Sequence, residues 1–311
     1  MMDFSTLNPV AIMVALIIAA TPLLFAAIGE LVVQKSGVLN LGVEGMMIVG
    51  AIAAFAVTLE TGSWAVGLLA AMAAGAGLAA LFAFMTQALL SNQVATGLAL
   101  TLFGLGVAAM IGQPYSGVKA PSFPSLDIPG LSDLPVVGRL LFSHDYLVYG
   151  SVALTGAVWW VLTRTRAGLI LRAVGENHDA AHAIGYRVGL IRTLAIMFGG
   201  ACAGLGGAYL SLVTTPLWVE GMTAGRGWIA LAIVVFAAWR PWRAMLGAYV
   251  FGGVTIAQLN LQALGVSIQS QYLSMTPYLV TILVLVLISA DASRVRLKAP
   301  ACLGRPFFAS G

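Results

Sequence analysis

Only 15 Lys or Arg and 11 Asp or Glu are spread over 311 residues, so the places where they gather are the candidates for chemistry. The densest is Arg164 to Arg192, RTRAGLILRAVGENHDAAHAIGYRVGLIR, with seven of the charged residues. Glu44 stands in KSGVLNLGVEGMMIVGA among Gly37, Asn40, Gly42 and Gly45, and Glu220 and Arg226 stand among Gly221, Gly225 and Gly227. A charged side chain at mid-bilayer costs about 3 kcal/mol, so an intramembrane charge is expected to face a protein interior or a pathway. Two patterns mimic other sites. GELVVQKS at Gly29–Ser36 resembles a phosphate-cradling loop but has Gln34 where the last glycine is required, so this chain is not expected to bind ATP. His178 and His182 have metal-ligand spacing, but a third ligand is lacking: His144, the only other histidine, is expected on the opposite face, so no metal site is assigned.

The surrounding sequence is apolar: 60% hydrophobic, 8% charged and 36 glycines, with mean hydropathy +0.98. That composition excludes an ordinary soluble core in a charged shell and predicts an all-α polytopic membrane protein. About nine stretches reach the roughly 18 to 25 residues needed to cross as helix; they lie near 9–31, 37–59, 64–90, 92–112, 146–163, 193–213, 221–239, 244–262 and 272–290. The first follows MMDFSTLNP, without a basic region or cleavage site, and is expected to stay as a span. The basic residues are dispersed, which argues against nucleic acid.

Placing 164–192 in the cytoplasm puts 12 of the 15 Lys and Arg on that side, leaving Lys119, Arg139 and Arg226 outside. The N-terminus is then outside and the C-terminus inside. Cys202, in a span, and Cys302, in the tail, are poorly placed for a structural disulfide.

Thr21-Pro22 interrupts the first span. The start of the second is either an interfacial turn with tight glycine packing or, as favoured here, a broken helix lining a pathway. In the seventh stretch only Trp228 to Trp239 is cleanly apolar, which predicts a discontinuous helix, with Arg226 pairing with an acid such as Glu220 or reaching outward. Both glycine-rich acidic segments open corresponding spans of opposite direction, the pattern of an inverted repeat. The expected single domain over 1–311 thus comprises a first half-repeat at 9–112, an external proline-rich loop at 113–145 with a short segment around 131–142, a polar loop at 164–192, a second half-repeat at 193–290 and a tail at 291–311. Gly199, Gly200, Ala203 and Gly204 provide small-residue spacing for close helix packing.

Within 164–192, Asn177 is a good N-cap, Asp179 suits a first turn and Gly185 can take the left-handed conformation. About two turns of helix are expected between them, with Ala180, Ala181 and Ile184 on one face and His178, Asp179 and His182 on the other. Such a short helix is marginal alone; its alanine face suits a protein groove better than lipid.

LRAVGENHDAAHAIGYRV resembles the cytoplasmic coupling segment of inner-membrane permease subunits of ATP-binding-cassette importers, in the group serving branched-chain amino acids, simple sugars and nucleosides. GVLNLGVEGMMIVGA carries the same resemblance, and TPLWVEGMTAGRGWIALAIVVFAAWRP is most similar to the nucleoside-type permeases; the likeness covers most of the chain. The resemblance implies a transport subunit with no cofactor of its own, in a bacterial cytoplasmic (inner) membrane. Its implied partners are a second permease subunit in a heterodimer, cytoplasmic ATPases that bind ATP, and an extracytoplasmic substrate-binding protein. Gly175, Glu176, Asn177, Ala180, Ala181 and Gly185 are then the coupling positions, and the roles of His178 and His182 stay open. Asn40, Glu44, Trp218, Glu220, Arg226 and Trp228 are the pathway candidates, with aromatics able to stack on a base. The implied cargo is a purine-type nucleoside, with sugars or branched-chain amino acids as alternatives. A self-contained secondary transporter or channel is the rival class, for which only Glu44 and Glu220 could serve as coupling carboxylates.

Overall fold

The computed structural model describes residues 9–127, 138, 140, 142–263, 272, 275–289 and 299–308. Most of the segment expected around 131–142 lies outside the described residues, as do Arg139, Arg294, Arg296 and Lys298. The described chain forms α1 (Pro9–Lys35), α2 (Val43–Thr61), α3 (Trp64–Ala83), α4 (Gln93–Gly112), α5 (Tyr146–Arg164), α6 (Arg166–Glu176), α7 (His178–Ala183), α8 (Val188–Tyr209), α9 (Arg226–Phe236), α10 (Pro241–Ala263) and α11 (Thr276–Ser289). Wider π turns at Phe84–Ala88 and Leu210–Thr214 prolong α3 and α8.

Seven described helices, α1 to α5, α8 and α10, are long and apolar enough to cross a membrane. The expected count of nine is therefore not reached at 221–239 and 272–290. In the first of these, Gly221 and Gly225 take φ of +67° and +78°, and α9 starts only at Arg226 and runs for 11 residues. This is the discontinuous helix expected there. In the second, α11 has 14 described residues, below the roughly 20 that span hydrocarbon as helix. The GELVVQKS run continues α1 as helix through Lys35.

α8 is the packing centre because its small residues remove the side chains that would keep helices apart. Its Gly199 lies against Gly29 and Val33 of α1, and its Gly200 and Gly204 against Gly75 of α3. Gly207 lies so close to the Met47 carbonyl of α2 that a methyl group would collide with it. Leu24, Ile28, Leu31, Met46, Met47, Phe82 and Ile196 fill the surrounding core. The two cysteines are free and buried.

The connection between α4 and α5 holds a two-stranded antiparallel ribbon, β1 (Ser125–Asp127) and β2 (Ser143–Asp145). It is anchored to the bundle: Ala120 N–H donates to the Pro216 carbonyl at 2.9 Å, and Phe123 and Tyr146 pack on Trp64. Asp145 caps α5, accepting from Leu147 and Val148 N–H at 3.0 Å each, and also accepts from the Tyr209 hydroxyl at 2.9 Å. Polar bonds thus fix the end of α8 to the start of α5.

Candidate functional site

Glu44 lies in the first turn of α2 and is 3% exposed. Its carboxylate accepts from Gly225 N–H at 2.8 Å and from Gly227 N–H at 2.6 Å, at the N-terminus of α9. Unpaired amides and the positive end of the helix dipole meet a negative charge there, which stabilises both. Glycine is required on steric grounds at 227, where a Cβ would sit 2.6 Å from both Glu44 Cα and Glu44 N. The two glycine-rich acidic segments therefore meet in space, and Glu44 joins them.

Of the other pathway candidates, Arg226 sits between the two glycines that Glu44 binds, near enough for the two charges to interact. Arg226 forms no ion pair with Glu220 among the described residues; its Nη1 donates to the Met222 and Thr223 carbonyls at 2.8 and 3.3 Å. It lines a cavity of about 210 Å³ with Pro22, Thr214, Phe251 and Thr255. Trp218 is buried against Gly112, Glu220 is exposed, and Trp228 is 46% exposed. Asn40 is buried and shapes the turn before α2, accepting from Gly42 N–H at 2.9 Å.

That turn leads to a buried network that sequence reasoning missed. Glu30, in α1, is 1% exposed. Its Oε1 accepts from Gln34 Nε2 at 3.1 Å and Asn40 N–H at 3.4 Å, while its Oε2 has no partner among the described residues. Gln34 in turn accepts from Trp239 Nε1 at 2.8 Å. The i, i+4 spacing of Glu30 and Gln34 could have flagged a shared polar face; nothing local pointed to Trp239. Across the turn, Leu39 N–H donates to Gln93 Oε1 at 2.8 Å and Thr101 to the Leu41 carbonyl at 3.1 Å. These bonds fasten the α1–α2 connection to α4.

At the polar loop, α6 ends at Glu176 and α7 spans six residues. Asn177 is the N-cap, its Oδ1 accepting from Ala180 N–H at 3.0 Å, and Gly185 ends the helix at φ +93°. The expected faces are corrected. Ala181 and His178 are buried, at 3% and 7% exposure, whereas Ala180 is exposed and Ile184 is 73% exposed. His178 turns inward because it meets a donor: Arg192 Nη2 lies 3.0 Å from its Nδ1. Since a guanidinium only donates, Nδ1 is the acceptor of a neutral imidazole. Burial first, and then the Arg192 charge, push the His178 pKa down, with Asp179 opposing and Arg305 adding to the shift.

Arg192 is fully buried and joins three segments. Besides His178, its Nε donates to the Ser36 carbonyl at 3.2 Å and its Nη1 to the Arg305 carbonyl at 3.1 Å. A buried cation costs several kcal/mol, offset here by hydrogen bonds to a charged group at roughly 1.5–3 kcal/mol each. Gly37 takes φ +87°, and a Cβ on it would lie 2.9 Å from Arg192 Nη2.

The tail completes this junction. Cys302 N–H donates to the Gly175 carbonyl at 2.9 Å, Gly304 N–H to the Gly37 carbonyl at 3.0 Å and Ala301 N–H to Glu176 Oε2 at 3.3 Å. Phe307 packs edge-on against His178 and His182, with ring centroids 5.4 and 5.3 Å away. Of the six coupling candidates, Gly175 and Ala181 are thus buried in the junction, while Glu176, Asn177, Ala180 and Gly185 are exposed.

Comparison with known proteins agrees with this architecture. The model of the family described as "Branched-chain amino acid transport system / permease component" matches residues 12–289. The putative glucose ABC transporter permease protein TsgC13 of Haloferax volcanii is 41% identical over 92% of this chain and 93% of its own length. The guanosine ABC transporter permease protein NupQ of Bacillus subtilis is 34% identical over 87% of this chain and 89% of its own. The nucleoside ABC transporter permease protein NupC of Lactococcus lactis is 32% identical over 93% and 95%. The chain is a multi-pass membrane protein that belongs to the ABC transporter permease family of branched-chain amino acid transport systems.

Proposed function

We propose that this permease subunit imports a small polar solute, coupling to a cytoplasmic ATPase through α7. The observation that carries the reading is a preformed, exposed helix tip fastened on its inner side: Ala180 and Ile184 face out while His178 and Ala181 are clamped by Arg192 and the tail, whose Phe307 also packs on His182. A push on α7 then reaches the Ser36–Gly37 turn through Arg192 and Gly304, and that turn leads through Asn40 to Glu44 and the N-terminus of α9. The family implies an ATPase and a substrate-binding protein as partners. A second permease subunit in a heterodimer is supported by the presence in Bacillus subtilis of two guanosine ABC transporter permease proteins, NupQ and NupP, both similar to this chain. Residues 9–112 and 193–290 act as opposed half-repeats, a reading supported by the Glu44 contact between them. The loop carrying α7 and the C-terminus face the cytoplasm and the N-terminus faces outside, as the distribution of basic residues supports. ATP is held by the partner ATPases.

For the cargo we favour purine-type nucleosides, on the run Thr215 to Pro241 and the two relatives named for guanosine and nucleosides. The 41% identical relative, named for glucose, supports a simple sugar as the second reading. Uptake of labelled guanosine and of labelled glucose into vesicles holding the complete reconstituted complex separates the two. Guanosine uptake abolished by omitting ATP supports the first reading; glucose uptake with no guanosine uptake replaces it with the second.

A further inference from the structure

Four cations line two neighbouring cavities at the end of the bundle that carries α6 and α7. Lys35 ends α1, Arg172 lies in α6, and Arg240 and Arg243 flank the start of α10. The cavities, about 470 and 440 Å³, share Lys35, Arg172, Trp239 and Arg240, and Glu176 is the only acid among their lining residues. Among the described residues none of the four cations forms an ion pair. Arg172 donates to the Gly168 carbonyl of its own helix at 3.3 Å, and the other three lack even such a bond among those residues. Such a concentration of positive charge is unfavourable unless an anion completes it.

The surroundings select the kind of anion. Trp159 and Trp242 pack beside the cations with ring centroids 6.3 Å apart, and are 37% and 41% exposed. Beside them, the membrane-crossing helix α5 presents Trp160 and Val161, 56% and 37% exposed, and α6 presents Leu169, 59% exposed. Tryptophan is favoured where hydrocarbon gives way to headgroups, and basic pockets between helix ends suit phosphate headgroups. A free anion would need the charges without this apolar, aromatic margin. We infer that the pocket of Lys35, Arg172, Arg240 and Arg243 binds the phosphate headgroup of an anionic phospholipid, with Trp159 and Trp242 at the level of its glycerol backbone. This site is separate from the proposed cargo route and does not depend on the identity of the cargo.

The test uses the full chain, purified with its partner permease subunit in detergent, with and without the ATPase, and stripped of lipid. Cardiolipin, phosphatidylglycerol and phosphatidylcholine are added back separately and retention is measured by native mass spectrometry. Selective retention of the anionic lipids is expected, weakened roughly fivefold for each charge removed in Arg240→Gln and Arg243→Gln. Arg187→Gln, an exposed charge on the coupling loop, should leave retention unchanged. Equal retention of phosphatidylcholine would overturn the proposal. So would release of the lipid by millimolar inorganic phosphate, which would show a free-anion site, or its loss on adding the ATPase, which would show a protein-covered surface. Should a variant fail to fold, the wild-type protein decides: a photoreactive phosphatidylglycerol must attach within 159–172 or 239–243, and attachment confined to other segments contradicts the site.

Discussion

Glu44 and Arg192 are both buried charges that hold a short helix, and they do so with opposite chemistry. Glu44 offers acceptors to two backbone N–H groups at the start of α9. Arg192 offers donors to two backbone carbonyls and a histidine beside α7. A carboxylate on a helix N-terminus is a two-body contact, supported by the dipole. A guanidinium carries five donors in a fixed fork and can tie several segments at once. One junction therefore sets the position of a single helix, whereas the other ties a turn, α7 and the tail to one another.

That difference can be broken or sharpened by substitution. The largest effect is expected for Arg192→Ala, which leaves three acceptors without their donor at about 1–3 kcal/mol each. Thermal unfolding of the purified complex would show it, and Arg192→Lys, without the fork, should recover only part of the loss. Glu44→Ala should come next, leaving two amides unpaired at about 1–3 kcal/mol each. Its effect is predicted to fall on uptake, by tenfold or more, with the tail still docked; Glu44→Gln should be intermediate because one acceptor remains. If limited proteolysis shows the tail released in Glu44→Ala, the two junctions are not independent.

A chain ending at Lys298 keeps α7 but loses the bonds from Ala301, Cys302 and Gly304 and the Phe307 contact. It should still bind the ATPase while moving less substrate per ATP hydrolysed. Unchanged stoichiometry would reduce the tail to a bystander. The smallest effect is a pH dependence. Docking favours neutral His178, whose pKa is lowered by burial and by Arg192, so the undocked imidazole takes up a proton more readily. Stability from this contact is full above the ordinary histidine value of about 6.5 and declines as pH falls below it. Tail protection from protease should weaken between pH 7 and 5.5, and His178→Phe should flatten that profile.

The helical class was legible because apolar stretches of span length leave few alternatives, and so were the caps of α7, since Asn177 and Gly185 act on their immediate neighbours. The broken helix at 221–239 was legible from its glycines. What attached to it was not: Glu44 lies 181 residues from Gly225 and meets backbone amides, which leave no trace in side-chain pattern. The orientation of α7 was misjudged for a similar reason. Alanine outranks histidine for burial when only local residues are weighed, and here Arg192, 14 positions on, supplies the donor that draws His178 inward. The tail was hidden for the same cause, because its bonds to Gly37 and Gly175 are made main chain to main chain.

The central claim is that the outer face of α7 receives the ATPase while its inner face is clamped. Ala180→Glu combined with Ile184→Asp alters exposed positions only and should leave the thermal stability of the permease unchanged. Capture of the purified ATPase by this variant, measured against the wild-type protein, tests the claim most directly. At least a tenfold loss of capture with unchanged stability is predicted; wild-type capture would contradict the account.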